Sequence, residues 1–387
     1  METKITKTLR LIILAMVMTG AAFVPCFAQP HEYEVRVAVL QSAKEFVLSA
    51  QGSVKIIEPL TEKVLLSQRN LKKSRVIFRD GGIYIGELFF PYKHVRLLAQ
   101  HGVTISEDKK SKKYRGTIDI KMVSGEKFLV VNTLPLELYI RGVLYHEVTD
   151  RWPMEAMKAQ AVAARTYVMY QMLQNRRKDF DVFNNVYSQM YGGQTAERYR
   201  TTLAVERTAE TVLLFDEKLF PTYYHSNCGG HTEDAGVLWN HDLKPLKGVE
   251  CPYCSTAPGY RWKRNFRSQD IQEKLIADGI HVGQIKEIKV SERFLSGRVR
   301  ELEVIDRNNQ IIKVSGKRFR DVLGPNLIRS NLYDIQMKGY YFDVIGHGWG
   351  HGVGMCQWGA HFMAKERFSF EQILSFYYPG ATLAKLK

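Results

Sequence analysis

The chain has 387 residues, of which 45% are hydrophobic and 25% charged, so it can bury the core of two or three domains. Past the N-terminus no apolar run reaches the roughly 18 to 20 residues that span a bilayer, which predicts no transmembrane segment in the processed chain. The net charge of +15 favours a polyanionic partner such as nucleic acid, a membrane surface or an acidic wall polymer.

Residues 1–28 have the layout of a signal peptide. Lys4, Lys7 and Arg10 precede an apolar run from Leu11 to Val24, and Cys26-Phe27-Ala28 places small residues where a signal peptidase reads. Cleavage after Ala28 removes these three cations and Glu2 and leaves Gln29 first, with a charge of +13. Pro25 argues against lipid attachment at Cys26. The expectation is an exported protein, periplasmic or extracellular and wall-associated. Export argues against nucleic acid, and no nucleic-acid-binding motif is present. Runs such as Lys109-Lys110 and Arg176-Arg177-Lys178 read as solvated loops.

Residues 29–130 form a β-rich part. Apolar and polar residues alternate at 33–40, 46–48, 53–57, 76–78, 83–90, 116–122 and 128–131, with turns at Asp80-Gly81-Gly82 and Ser124-Gly125-Glu126. From 131 to 387 the texture is mixed. Pro135 heads a helix that runs to Leu144, and a second follows Trp152-Pro153 from Met154 to about Arg176 with an apolar stripe. His146 to Arg151 reads as the loop between them. A third helix is expected over 197–209, and then a hairpin across Asp216-Glu217-Lys218. An α/β insertion at about 265–338 carries helices near 268–278 and 315–323. Helices over 357–365 and 370–376 close the chain. The fold class is α+β, a β-rich N-terminal part followed by a mixed helix/strand catalytic domain with that insertion.

Four cysteines remain after Cys26, namely Cys228, Cys251, Cys254 and Cys356. His225-x2-Cys228-x2-His231, followed by Cys251-x2-Cys254, offers five candidate ligands for a four-coordinate, structural zinc. The favoured set is His225, His231, Cys251 and Cys254, with Cys228 replacing any one of them. A Cys251–Cys254 or Cys228–Cys251 disulfide is the alternative in an exported chain. Cys356 reads as a small core residue. The glycines between Gly346 and Gly359, interleaved with His347, Trp349, His351 and Trp358, suggest a loop whose backbone approaches a ligand. Aromatic rings can stack on sugars and imidazoles can hydrogen-bond hydroxyls, so this loop, with Gln357, is the candidate substrate-binding segment.

Three segments carry a family likeness. They are VVNTLPLELYIRGVLYHEVTDRWPMEAMKAQAVAARTYVM (130–169), YSQMYGGQTAE with TYYHSNCGGHTE (187–233), and GHGWGHGVGMCQWGAHFMAKE with ILSFYYPG (346–380). In order and wording they resemble the stage II sporulation protein D (SpoIID/LytB) family, which includes peptidoglycan lytic transglycosylases. The resemblance implies that Glu147 is the catalytic acid/base and that Tyr187, Ser188, Gln189 and Tyr191 face the same cleft. It implies a substrate of peptidoglycan glycan strands, cleaved at the MurNAc–GlcNAc β-1,4 bond to leave 1,6-anhydro-MurNAc ends. One carboxyl group suffices for this, whereas hydrolysis needs a second. The acid must be protonated at rest, so its pKa should be raised by apolar surroundings, with Tyr145, Val148 and Trp152 as candidates. The acid/base step requires no cofactor. Family members differ in zinc content, which leaves the cluster open. Two other readings are a zinc-dependent wall hydrolase or amidase and a non-catalytic enhancer of a partner amidase.

Overall fold

A computed structural model describes residues 33–386 except Lys109, Val186, Tyr187 and Asn240. The expected signal peptide and Tyr187 therefore lie outside the described residues. Residues 33–386 form one compact unit.

Two sheets account for the N-terminal part. One runs in the order Val182–Phe183, Glu34–Ala43, Phe128–Pro135, Thr117–Met122, His94–Ala99, Val54–Ile57 and Val64–Gln68. The other runs Lys110–Tyr114, Val103–Glu107, Phe46–Ala50, Leu71–Arg79, Gly82–Ile85 and Leu88–Phe90. Alternate residues point inward from both. Val35, Val37, Ile56, Leu97, Ile120 and Val130 of the first sheet share a core with Leu48, Val76, Ile83 and Ile105 of the second. Phe46 meets Phe128 edge-on at 5.6 Å between ring centres.

The expected boundary at 130/131 falls inside the strand Phe128–Pro135. That strand pairs antiparallel with Glu34–Ala43 and leads directly into helix α1 (Leu136–Glu147). Tyr139, Ile140, Val143 and Leu144 of α1 belong to the same core as the sheets. Helix α1 runs three residues past the expected end, so His146 and Glu147 are its last residues rather than part of a loop. It stops where Val148 turns extended, ahead of Trp152-Pro153. Helix α2 (Met154–Gln174) is not half-exposed. Every residue from Ala159 to Met169 is buried. One side of α2 faces the sandwich through Met157, Ala161, Ala164 and Val168, and the other packs a second core through Ala159, Val162 and Ala163.

Helix α3 (Tyr199–Arg207) is followed by the strand Thr211–Phe215, which turns back through Asp216-Glu217 to Lys218–Leu219 and pairs on its other edge with Thr382–Lys385. The hairpin is tighter than expected, and both turn residues have positive φ, as a two-residue turn of this hand requires. The short strand Tyr224–His225 runs parallel to Met355–Cys356, pairing His225 with Cys356. Helix α4 (Ala235–Trp239) follows.

The insertion spans more of the chain than expected. It leaves along Arg261–Arg267 and returns along the antiparallel strand Tyr341–His347, with Arg261 opposite His347. Between them stand α5 (Ser268–Ala277), a three-stranded meander over residues 285–315, α6 (Gly316–Leu323) and the strand Tyr333–Lys338. It has its own core around Ile271, Leu302, Phe319, Phe342 and Val344. Helices α7 (Gln357–Lys365) and α8 (Phe370–Tyr377) then pack on α2.

Candidate functional site

Glu147 ends α1, and the surrounding groups come from four other segments. Gln357, the first residue of α7, donates from Nε2 to Glu147 Oε2 at 3.2 Å and to Gln160 Oε1 of α2 at 3.4 Å. The Met190 backbone N–H and the Tyr224 hydroxyl also donate to the Glu147 carboxyl. Tyr224 is held from behind, because Gln189 Nε2 donates to its hydroxyl at 2.9 Å while Gln189 Oε1 accepts from the Tyr139 hydroxyl at 2.9 Å.

Burial pushes the Glu147 carboxyl from its ordinary 4.5 up to about 7, with the three hydrogen bonds opposing the rise. Every perturbing group is neutral, and no second carboxylate is among them. Its position at the C-terminal end of a helix adds to the effect, since unpaired carbonyls there disfavour an anion. Glu155 accepts from Lys158 and from the Phe370 N–H, tying α2 to α8.

The remaining expected site residues divide into groups. Gln357 contacts Glu147, and Trp358 beside it lies in a cluster with Trp152 and His361, at 5.1 and 5.2 Å between ring centres. Gln189 is 1% exposed, with its amide committed to Tyr139, Tyr224 and the Ala164 carbonyl, so it positions Tyr224 from inside the fold. Tyr191 is likewise buried and donates to Asn132 Oδ1 at 2.9 Å. Ser188 is half-buried and accepts from the Phe183 N–H.

His351 accepts at Nδ1 from the Val353 N–H at 3.0 Å and donates to the Tyr224 carbonyl. Tyr224 thus links His351 on its backbone to Glu147 on its hydroxyl. Burial holds the His351 pKa down at about 3, so the ring is neutral at any ordinary pH. His347 and Trp349 turn elsewhere. His347 lies tilted against Tyr260, 5.2 Å between ring centres, and the Arg329 guanidinium lies 4.6 Å over the Trp349 ring, which is 41% exposed.

The glycine-rich segment approaches other parts of the protein. At Gly352 (φ +90) a Cβ would sit 2.5 Å from the Arg298 guanidinium, and at Gly354 (φ +70) it would strike the Tyr223 carbonyl. These close approaches are to protein atoms, which accounts for glycine at both positions.

The metal candidates also regroup. Cys228, Cys251, Cys254 and Cys356 bring their sulfurs within 4.8 Å of one another, all four buried and none in a disulfide. His225 and His231 are outside this group. His225 Nδ1 meets the Val353 carbonyl at 3.0 Å and His231 Nδ1 the Thr232 carbonyl at 2.5 Å. His225 Nε2 is buried without a hydrogen-bond partner. Cys356 joins through the parallel pairing of its strand with Tyr224–His225, and its Sγ accepts from the Cys228 N–H across 128 residues, a contact that local spacing does not signal. Sequence reading likewise missed Tyr224, Gln160 and Tyr139. Tyr224 stood inside a quoted motif, next to His225, where a hydroxyl could have been weighed.

Residues 124–215 match a family described as "Stage II sporulation protein", and residues 250–354 match "Domain of unknown function (DUF8618)". The chain is 31% identical over 358 residues to an uncharacterized protein of Brachyspira hyodysenteriae, covering 92% of this chain and 94% of that one. It is 30% identical over 277 residues to stage II sporulation protein D of Bacillus amyloliquefaciens, covering 66% and 76%. It is 26% identical over 288 residues to the amidase enhancer of Bacillus subtilis, covering 63% of this chain and 40% of that protein. On this likeness, together with the matched profile, the chain belongs to the stage II sporulation protein D family.

Proposed function

We propose that this protein acts on the cell wall as an exported peptidoglycan lytic transglycosylase with Glu147 as its single acid/base. The observation that carries the reading is one carboxyl group, pushed up to about 7, whose partners are all neutral donors. At neutral pH a large fraction of Glu147 holds its proton. It gives that proton to the oxygen bridging MurNAc and GlcNAc as the C1–O bond breaks. The resulting carboxylate then takes the proton of the MurNAc C6 hydroxyl, whose oxygen closes on C1. The 1,6-anhydro ring forms, no water is consumed, and Glu147 ends protonated again. Gln357 and Tyr224 steady the carboxylate between the two steps. Trp358, half-buried beside Gln357, offers a ring able to stack on a sugar.

Zinc-dependent hydrolysis has less support, because the thiol cluster is closed and offers no site for an activated water. Enhancement of a partner amidase remains a separate reading on the likeness to an amidase enhancer. Digestion of purified sacculi followed by mass analysis of the muropeptides tests the proposal. The wild-type protein should release anhydro-muramyl ends, and Glu147→Gln should lower that release by on the order of 10²- to 10⁴-fold while still binding sacculi. Anhydro ends released at the wild-type rate by Glu147→Gln would exclude the mechanism.

A further inference from the structure

We infer that Cys228, Cys251, Cys254 and Cys356 bind one zinc ion in a closed tetrathiolate site that clasps three segments of the chain together. The segments are the turn after Tyr224–His225, the Cys-Pro-Tyr-Cys turn and the head of α7. The four sulfurs lie within 4.8 Å of one another, with Cys228 and Cys254 at 3.4 Å. Thiolates around zinc at about 2.3 Å sit about 3.8 Å apart in a tetrahedron, so small shifts bring all four into contact with one ion. Each cysteine is at most 1% exposed.

The surroundings are those of a thiolate cluster rather than of an apolar core. The Cys228 and Gly359 N–H groups each donate to Cys356 Sγ at 3.3 Å, and the Tyr377 hydroxyl lies 3.2 Å from Cys251 Sγ. Cys356 caps the start of α7, where the helix dipole favours a negative sulfur. Arg298 comes in from the insertion, 1% exposed, and donates to the carbonyls of Cys228 at 2.5 Å and His231 at 2.8 Å. One divalent ion with four thiolates carries two negative charges, and a buried guanidinium beside it offsets part of them. Binding releases the thiol protons and changes no oxidation state. With sulfur ligands on all sides and no exposed edge, the site is structural.

Cys356 immediately precedes Gln357, so the clasp also fixes the residue that reaches Glu147. That consequence rests on the reading of Glu147, whereas the metal site does not. Metal content is therefore measured without substrate. The purified protein should carry one zinc per chain, and cobalt exchanged into it should give the absorption bands of a tetrahedral all-sulfur site. Cys254→Ser and Cys356→Ser should lose the metal, and His231→Ala should keep it. Alkylation under denaturing, non-reducing conditions, after removal of the metal, should find all four thiols free. A metal-free or iron-bound protein, a disulfide among these cysteines, or a cobalt spectrum with imidazole donors would overturn the assignment. Should Cys356→Ser fail to fold, the wild-type cobalt spectrum alone decides.

Discussion

Glu147 holds its proton because it is at once desolvated and at the negative end of a helix, and both effects have measurable consequences. A reaction that begins with proton donation should slow as pH rises through about 7, and the alkaline limb of the kcat/KM profile should report that value. The Gln357 hydrogen bond favours the ionised form, so Gln357→Leu should move that limb to higher pH as well as lower the rate. Folding is linked to the same proton. The folded state binds it more tightly than the unfolded chain, so stability should fall as pH rises from about 4.5 to about 7 and level off above, by ~3 kcal/mol. Denaturant titrations across that range should show the slope in the wild type and its loss in Glu147→Gln. Glu147 itself was legible because a long motif frames it. Of its partners only Gln357 was singled out from the sequence. Tyr224 and Gln160 stood inside long motifs, but they are brought to Glu147 and Gln357 by elements far apart in the chain, which no local signal announces.

At the level of elements, α2 shows what burial on all sides demands. Arg165 is fully buried at its centre, and its guanidinium grips both carboxylate oxygens of Glu137 in α1 at 2.7 Å while donating to the Thr211 carbonyl. Removing the acid strands that cation, so Glu137→Ala should cost about 3 kcal/mol, read as a lower unfolding midpoint in denaturant. Gly354→Ala should destabilise by at least ~1 kcal/mol, because it adds a Cβ at positive φ against the Tyr223 carbonyl. Calorimetry on the purified variant checks this. Most helices could be read from the sequence, because proline starts and apolar spacing are local signals; α7 was placed to the residue. The end of α1 was not, since the turn that stops it is set by packing, with Val148 and Trp152 both buried, rather than by His146 and Glu147. Four strands between residues 64 and 114 were also missed. Lys110–Tyr114 is mostly lysine and serine, Val103–Glu107 and His94–Ala99 mix polar residues into short apolar runs, and Val64–Gln68 does not alternate. Such edges and short runs gain their structure from the strand beside them.

For the molecule as a whole, a net charge of +15, or +13 once residues 1–28 are removed, should dominate the encounter with an anionic wall. Pelleting with sacculi should retain the protein at low salt and release it at about 0.5 M, where screening falls to a few ångströms, and sacculi stripped of anionic polymers should lose most of the retention. The insertion bears differently on the whole. Its entry and exit strands lie side by side, Arg261 opposite His347 and Trp262 opposite Gly346, so its two ends are already adjacent. A segment attached in this way is a cassette: another unit with neighbouring termini could be grafted at the same ladder, or the ladder closed by a short turn, with little effect on the strands beneath. Arg298 is the exception. It is the cassette's guanidinium that reaches back to the carbonyls of Cys228 and His231, so any graft would have to deliver a donor to that spot or leave those two buried carbonyls unpaired.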